Sequence, residues 1–381
     1  MLPLWVTLLL VVGAVLVLLY QGAAILFAYQ LTRLEPLPPE SAPTSRGRVS
    51  VIIAARNEAD DLGGTLDDLL AQDYPDLEIV VVEGGSTDAT RDVIAARGPR
   101  VRLVDEPPLP AGWVGKSWAC WVGARATDAP WLLFLDADVR THPAAVRTAV
   151  AWAEREHLDL ASIGVRVEMV GVWEKLVLPI WVQRILLTYR PAHMQRARPR
   201  APMANGQFWL TPRSAYQRVG GHEAVKSWIM EDIAIARRYR DFGLALRFAW
   251  SAPLGRTRMY RDRHEMYEGL LKNAHGLEFS AARQTGTLVA LFAFYLLPLG
   301  LLPLAIVEGS GLLLIGLGAF LWVALFGKHV GFAVSIGAPA AYGLLYPVGI
   351  AWYIGVTAVS LVRGIRRRPV TWKGRAYALH R

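Results

Sequence analysis

Cysteine is almost absent: the 381 residues contain one, Cys120. That excludes an intrachain disulfide and a cysteine-based zinc cluster. The eight histidines show no zincin-type spacing. Neither zinc-finger spacing nor an RNA-binding motif occurs, so the net charge of +9 does not point to nucleic acid. It suits an anionic lipid leaflet or a diphosphate ligand instead. No internal repeat is present. Charge is missing from two long stretches. Met1 to Thr32 holds no charged side chain, and Thr285 to Val362 holds only Glu308 and Lys328.

A bilayer core about 30 Å thick takes about 20 apolar residues as a helix. Residues 1–32 supply one such span. They lack the positive start of a cleaved signal peptide and form too long an apolar run, so a retained anchor is expected. Residues 284–362 have room for three spans, near 286–307, 310–327 and 338–362. The tail 363–381 follows with Arg363, Arg366, Arg367, Arg368, Lys373 and Arg375, and such residues beside a span favour the cytoplasm. The expectation is a multi-pass protein of the cell (inner) membrane with its aqueous part cytoplasmic. Three crossings would separate that part from the tail. A re-entrant or interfacial segment, or division of 329–362 into two short spans, would restore parity. Residues 33–48, rich in Pro and Ser, read as a linker.

The charge-bearing stretch 49–283 reads as one aqueous domain. β-rich runs at 49–54, 78–82, 101–104 and 131–135 alternate with helical patterns at 62–70, 92–96 and 118–126. Such alternation predicts an α/β fold with a mostly parallel sheet and helices on both faces. Ligands of such sheets bind at the carboxyl ends of the strands. Glu58, Glu83 and Asp136-Ala137-Asp138 fall just past strand ends. Two carboxylates one residue apart suit a hard cation, because Mg²⁺ is often held by one or two carboxylates plus substrate phosphates. A charged turn capping the strand has the same pattern. Glu58 also suits the start of the next helix as a plain dipole partner.

Lys116 opens a helix after Gly115, where its charge and the helix N-terminus would attract a diphosphate; an ordinary solvated lysine looks the same. Glu231-Asp232 opens another helix, as a proton acceptor or as simple capping and pairing. A broken apolar pattern near 171–190 suggests an interfacial helix or pair of helices.

The ordered set Val51-Ile52-Ile53-Ala54-Ala55-Arg56-Asn57-Glu58, Val82-Glu83-Gly84-Gly85-Ser86-Thr87-Asp88, Asp136-Ala137-Asp138 and Glu231-Asp232 resembles family 2 glycosyltransferases. Gly112-Trp113-Val114-Gly115-Lys116-Ser117-Trp118-Ala119 and Trp372-Lys373-Gly374-Arg375 resemble the hopene-associated and carotenoid branch of that family. The resemblance covers nearly the whole chain from Val49. It implies a GT-A (Rossmann-like) fold, a nucleotide-diphosphate sugar donor (a UDP-sugar is expected), Mg²⁺ or Mn²⁺, and inversion at the anomeric carbon. It also implies a further interfacial helix near 259–275.

On that resemblance, Ala55, Asn57, Glu58, Glu83, Lys116 and Asp136 bind the donor. Asp138 and Asp136 hold the metal. Asp232 is the base, with Glu231 second. Gly206, Gly220, Gly221 and His222 lie on the acceptor side, His222 being equally readable as a structural histidine. Glu83 departs from the family, which usually has Asp there and often another Asp at Gly84. The acceptor expected from membrane embedding and branch is a lipid. Two alternatives remain. A processive polysaccharide synthase would carry Gln-x-x-Arg-Trp after the base, which is absent. A non-catalytic membrane scaffold would not need Asp136, Asp138 and Asp232.

Overall fold

The computed structural model describes residues 4–32, 37, 47–194, 196, 199–278 and 280–377. Most of the expected linker 33–48 and the last four tail residues lie outside the described residues. The chain begins with one uninterrupted apolar helix, α1 (Leu4–Thr32). Leu8, Leu9, Leu16 and Leu19 are exposed on it.

The domain that follows is built in chain order from β1 (Val49–Ala55), α2 (Ala59–Leu70), β2 (Leu77–Glu83), β3 (Val101–Asp105), α3 (Gly115–Arg125) and β4 (Trp131–Leu135). It continues with β5 (Leu160–Gly164), α4 (Val172–Tyr189), β6 (Phe208–Pro212), α5 (Glu231–Asp241) and β7 (Leu246–Trp250). These seven strands form one sheet in the order β3-β2-β1-β4-β6-β5-β7. β1 pairs in parallel with both β2 and β4, while β6 is antiparallel to β4 and β5.

Val51 and Ile53 of β1 face a core that includes Leu62, Leu66 and Leu69 of α2. Ile52 faces a second core with Cys120, Phe134 and Ile235. Burial on both faces explains why β1 is a continuous apolar run rather than an alternating one. α3 lies so close to the sheet that a Cβ at Gly123 would stand 2.5 Å from the Ile52 side chain.

Beyond the sheet, α6 (Arg263–Glu278) leads into α7 (Ala281–Leu291). A π-helical turn and a 3₁₀ turn at Phe292–Gly300, with Pro298 inside, connect α7 to Leu301–Val307. Then come α8 (Leu312–Ser335), the short helix Ala340–Leu344, and α9 (Tyr346–Ile365). Among the described residues, four segments are long and apolar enough to cross a membrane: Val6–Phe27, Ala281–Val307, Leu312–Ser335 and Tyr346–Ile365.

The first three lie side by side. Ala14 and Val17 of α1 cluster with Leu301 and Leu321, and Lys328 of α8 bonds Gln21 of α1. α9 differs. Tyr346 at its start stacks on His329, inside α8, at 3.9 Å between centroids. Its end rests on the domain: Ser360 Oγ donates to the Leu271 carbonyl of α6 at 2.9 Å, and Tyr353 meets Trp181 of α4. A C-terminal hairpin (Val370–Trp372 and Arg375–Tyr377) then returns to the sheet edge, where Lys373 pairs with Glu58 and Arg375 with Glu106. The described part of the tail is therefore docked on the domain.

Candidate active site

Strand register assembles the site. Ile53 is level with Leu135 in the parallel β1–β4 pair, so Ala54-Ala55-Arg56 and Asp136 leave the sheet at one edge. Phe208 opposes Leu135 across the antiparallel β4–β6 pair, which brings Asn205-Gly206-Gln207 to the same edge. The Asp136 N–H donates to the Gln207 carbonyl at 3.2 Å. A cavity of about 320 Å³ opens there.

Lys116, at the first turn of α3, reaches across this cavity. Its Nζ lies 2.6 Å from Asp136 Oδ1 and 3.0 Å from Glu231 Oε1. Burial opposes its charge, but the two carboxylates outweigh burial and hold it well above the usual lysine value. Glu231, at the first turn of α5, is pushed up by burial and pulled down further by Lys116, so it ends below the usual value. Asp232 beside it goes the other way. Burial and the Glu231 charge push it up to about 6. Its Oδ2 accepts the Gly206 N–H at 2.8 Å, and its Oδ1 accepts the Ile233 N–H at 2.7 Å. A Cβ at Gly206 would stand 2.8 Å from Lys116 Nζ, so a larger residue there would push the ammonium from its place beside the carboxylates.

Asp138 is likewise pushed up to about 6, by burial and then by Asp136. Its Oδ2 accepts the Thr257 hydroxyl at 2.9 Å, because Thr257 lies opposite Val139 in a small second sheet. Burial pushes Glu58 up to about 7, against the pull of Lys373. Lys272 of α6 lines the cavity and is pulled down to about 8 by burial. One stretch of the remaining wall is apolar, where Trp181, Ile185 and Leu186 of α4 meet Met203, Met230 and Phe248, while Asp61, Arg258, Arg261 and Glu265 line another stretch. One cavity thus has a charged end at the sheet edge and an apolar end beneath α4.

Residues 50–220 match the family model described as Glycosyl transferase family 2. The chain carries a family 2 glycosyltransferase domain. It is 27% identical over 194 residues to a 4,4'-diaponeurosporenoate glycosyltransferase of Staphylococcus haemolyticus, covering 50% of this chain and 51% of that protein. The protein of the same name from Staphylococcus aureus is 25% identical over 234 residues, covering 59% and 60%. The chain spans about half to three fifths of the length of these curated relatives. Among solved structures, a mannosyltransferase of Pyrobaculum calidifontis in complex with GDP-Man and Mn²⁺ aligns with a TM-score of 0.59. The two are 21% identical, and the match covers 93% of this chain and 99% of that one. That likeness shows the GT-A fold, whose mostly parallel sheet and flanking helices are those described above.

The glycosyltransferase domain has the donors a divalent cation needs. Asp136 and Asp138 both line the cavity. Asp136 pushes Asp138 up, a repulsion that a divalent charge would relieve. Among the described residues, no group of three or more His, Cys, Asp or Glu forms a closed metal cage. Two carboxylates with the remaining positions left to phosphate and water suit Mg²⁺ or Mn²⁺.

Of the residues singled out in the sequence, Ala55, Glu58, Lys116, Asp136, Asp138, Gly206, Glu231 and Asp232 line the cavity. Asn57, Glu83, Gly220, Gly221 and His222 do not. Asn57 adopts φ 53° and accepts the Thr87 N–H through Oδ1 at 2.9 Å. Glu83 turns back to accept the Ser86 N–H at 2.6 Å and to pair with Arg91 at 3.3 Å. Both side chains hold the loop after β2. Gly220 and Gly221 form a left-handed turn, φ 82° and 53°. His222 sits 1% exposed under Phe134, bonded to Tyr216 at 2.8 Å and pushed down to about 3 by burial, which makes it a neutral core histidine.

The cavity also contains residues that no local pattern singled out for it: Arg56, Glu106, Lys272, Lys373 and Arg375. For Lys272 the signal was weak, a lysine directly after the apolar pair Leu270-Leu271. For Glu106 there was none.

Proposed function

We propose that this chain transfers a sugar from a nucleotide-diphosphate sugar, with a UDP-sugar as the expected donor, to a membrane lipid, with inversion. The observation that carries this reading is the two-ended cavity. Its charged end suits a sugar diphosphate, and its apolar end lies under α4, against helices able to enter a membrane. The names of the curated relatives specify a carotenoid carboxylate, which favours an acceptor with one polar terminus on a long apolar body. Intact and converging Asp136, Asp138 and Asp232 weigh against a non-catalytic scaffold.

In the proposed reaction the acceptor oxygen attacks the anomeric carbon while the bond to the diphosphate breaks. Asp232 takes the proton of an acceptor hydroxyl. Its carboxyl, at about 6, is ionised at neutral pH yet more basic than an ordinary aspartate. Glu231 is tied to Lys116 and holds that lysine beside Asp136. Lys116 offsets the charge that develops on the departing diphosphate. Bound at Asp138 and Asp136, Mg²⁺ or Mn²⁺ would supply further positive charge for the same leaving group. The apolar wall keeps the acceptor chain dry and its terminus near Asp232.

Membranes containing the protein, incubated with labelled UDP- and GDP-sugars, should yield a labelled lipid by mass analysis of the extract. Label that enters only water-soluble polymer, or no product at all, would overturn the reading.

For the membrane, residues 281–335 form one out-and-back pair, and 336–365 form a re-entrant segment whose helix starts beside His329, in the last third of α8, and returns to the domain. Domain and tail then share the cytoplasmic face. In a Cys120→Ser background, an impermeant thiol reagent applied to intact cells should label Glu308→Cys and spare Asp92→Cys and Arg368→Cys. Labelling of Arg368→Cys from outside would refute this topology.

A further inference from the structure

One wall of the cavity is not made by the glycosyltransferase domain at all. Lys373 and Arg375 arrive from the C-terminal hairpin, more than 230 residues after Asp136-Ala137-Asp138 in the chain. Trp372 pairs with Arg375, so Lys373 and Gly374 form a two-residue turn. Both have positive φ, 46° and 74°. That is the geometry of a tight hairpin turn, which favours Asn-Gly or Asp-Gly. A lysine there costs backbone energy, and such strain persists where surrounding contacts impose it.

The two cations do different things. Arg375 docks the hairpin: its guanidinium donates to Glu106 Oε1 at 2.8 Å and to the Gly84 carbonyl at 3.1 Å, with its own side chain 18% and that of Glu106 4% exposed. The Lys373 carbonyl adds a docking bond from Arg56 Nε at 3.2 Å. The Lys373 ammonium also contacts the domain, through Glu58. It extends from the strained turn into the cavity, pairs with Glu58, and keeps 25% of its side chain accessible. Its charge also reaches Asp138. Lys116 approaches the same carboxylate cluster through Asp136. A diphosphate entering between Glu58 and Asp138 meets Lys373, a compact ammonium on a flexible stem, which suits a phosphate oxygen.

We propose that Lys373 is a donor-phosphate ligand delivered by the tail, so that the donor site is complete only when the hairpin is docked. This rests on the donor reading above. It also ties donor binding to α9, the helix from which the hairpin hangs.

The test is calorimetric binding of UDP and of GDP, each with Mn²⁺, to the full-length protein in detergent or nanodiscs. Lys373→Met should weaken the preferred nucleotide about tenfold or more, the loss of one charge-assisted hydrogen bond. Lys373→Arg should retain part of the affinity. The double variant Glu58→Gln/Lys373→Met separates the two roles of the lysine, and it should bind as weakly as Lys373→Met. Recovery of wild-type affinity in the double variant would show that Lys373 only neutralises Glu58, and would overturn the proposal. Unchanged affinity in Lys373→Met would do the same. Wild-type protein that binds neither nucleotide would remove the donor reading and this proposal together, whereas wild-type binding that Lys373→Met leaves intact removes this proposal alone.

Discussion

Asp136-Ala137-Asp138 at the end of β4 and Glu231-Asp232 at the start of α5 are two acidic pairs on unlike elements, and the fold sorts them alike. In each, one carboxylate is tied to Lys116, at 2.6 Å for Asp136 and 3.0 Å for Glu231. The other, Asp138 or Asp232, is pushed up to about 6 by burial and then by its tied neighbour. One lysine thereby divides two pairs into a bound member and a member left to the cavity. The difference lies in what holds the second member. Asp138 accepts a side-chain hydroxyl, from Thr257. Asp232 accepts two backbone N–H groups, from Gly206 and Ile233. The strand-end carboxylate suits a cation that comes and goes with the donor, and the helix-start carboxylate is fixed in direction, as a base must be.

The strongest way to break this comparison is at Asp138. Asp138→Ala should reduce transfer to background with circular dichroism unchanged, and chelation of divalent ions should do the same to the wild type. Full turnover in excess chelator would leave the strand-end pair without a metal role.

A smaller loss is expected at the other pair. Asp232→Asn keeps size and removes basicity, so kcat on a hydroxyl acceptor should fall about 10²–10⁴-fold while nucleotide binding stays near wild type. Glu231→Gln should cost less. On a carboxylate acceptor, already ionised, the Asp232 effect should shrink. Turnover and nucleotide affinity measured separately on both variants decide the matter; near-normal turnover of Asp232→Asn on a hydroxyl acceptor would move the base to Glu231.

The smallest effect is a displacement in pH. A base must be ionised to act, so kcat/KM should be full well above pH 6 and fall as pH drops through about 6, where Asp232 takes up its proton. Lys116 pulls Asp232 down, so Lys116→Met should move this acid limb to higher pH. Saturating Mn²⁺ during the measurement keeps Asp138 ionised and its titration out of the profile. A limb that stays in place would belong to a group remote from Lys116.

Local pattern settled a good deal. Apolar runs of strand length between helical periodicities specify β1 to β4, and the alternation specifies their parallel pairing, because each short strand can bury both faces only under crossover helices. It also placed Glu58 and Asp136-Ala137-Asp138 at one edge, since a residue just past a parallel strand has little freedom to be elsewhere. The same rule says less about Glu83, the last residue of β2, whose carboxylate turns back to Ser86 and Arg91. A strand end specifies where a side chain starts and not which way its loop folds. Tertiary structure alone decided the rest. Glu106 and the tail hairpin meet through contacts spanning 269 residues of sequence, and α9 begins inside the helical layer because Tyr346 stacks on His329 and Tyr353 packs on Trp181. Such contacts depend on which distant surfaces fit one another, and no periodicity within a segment records its partner.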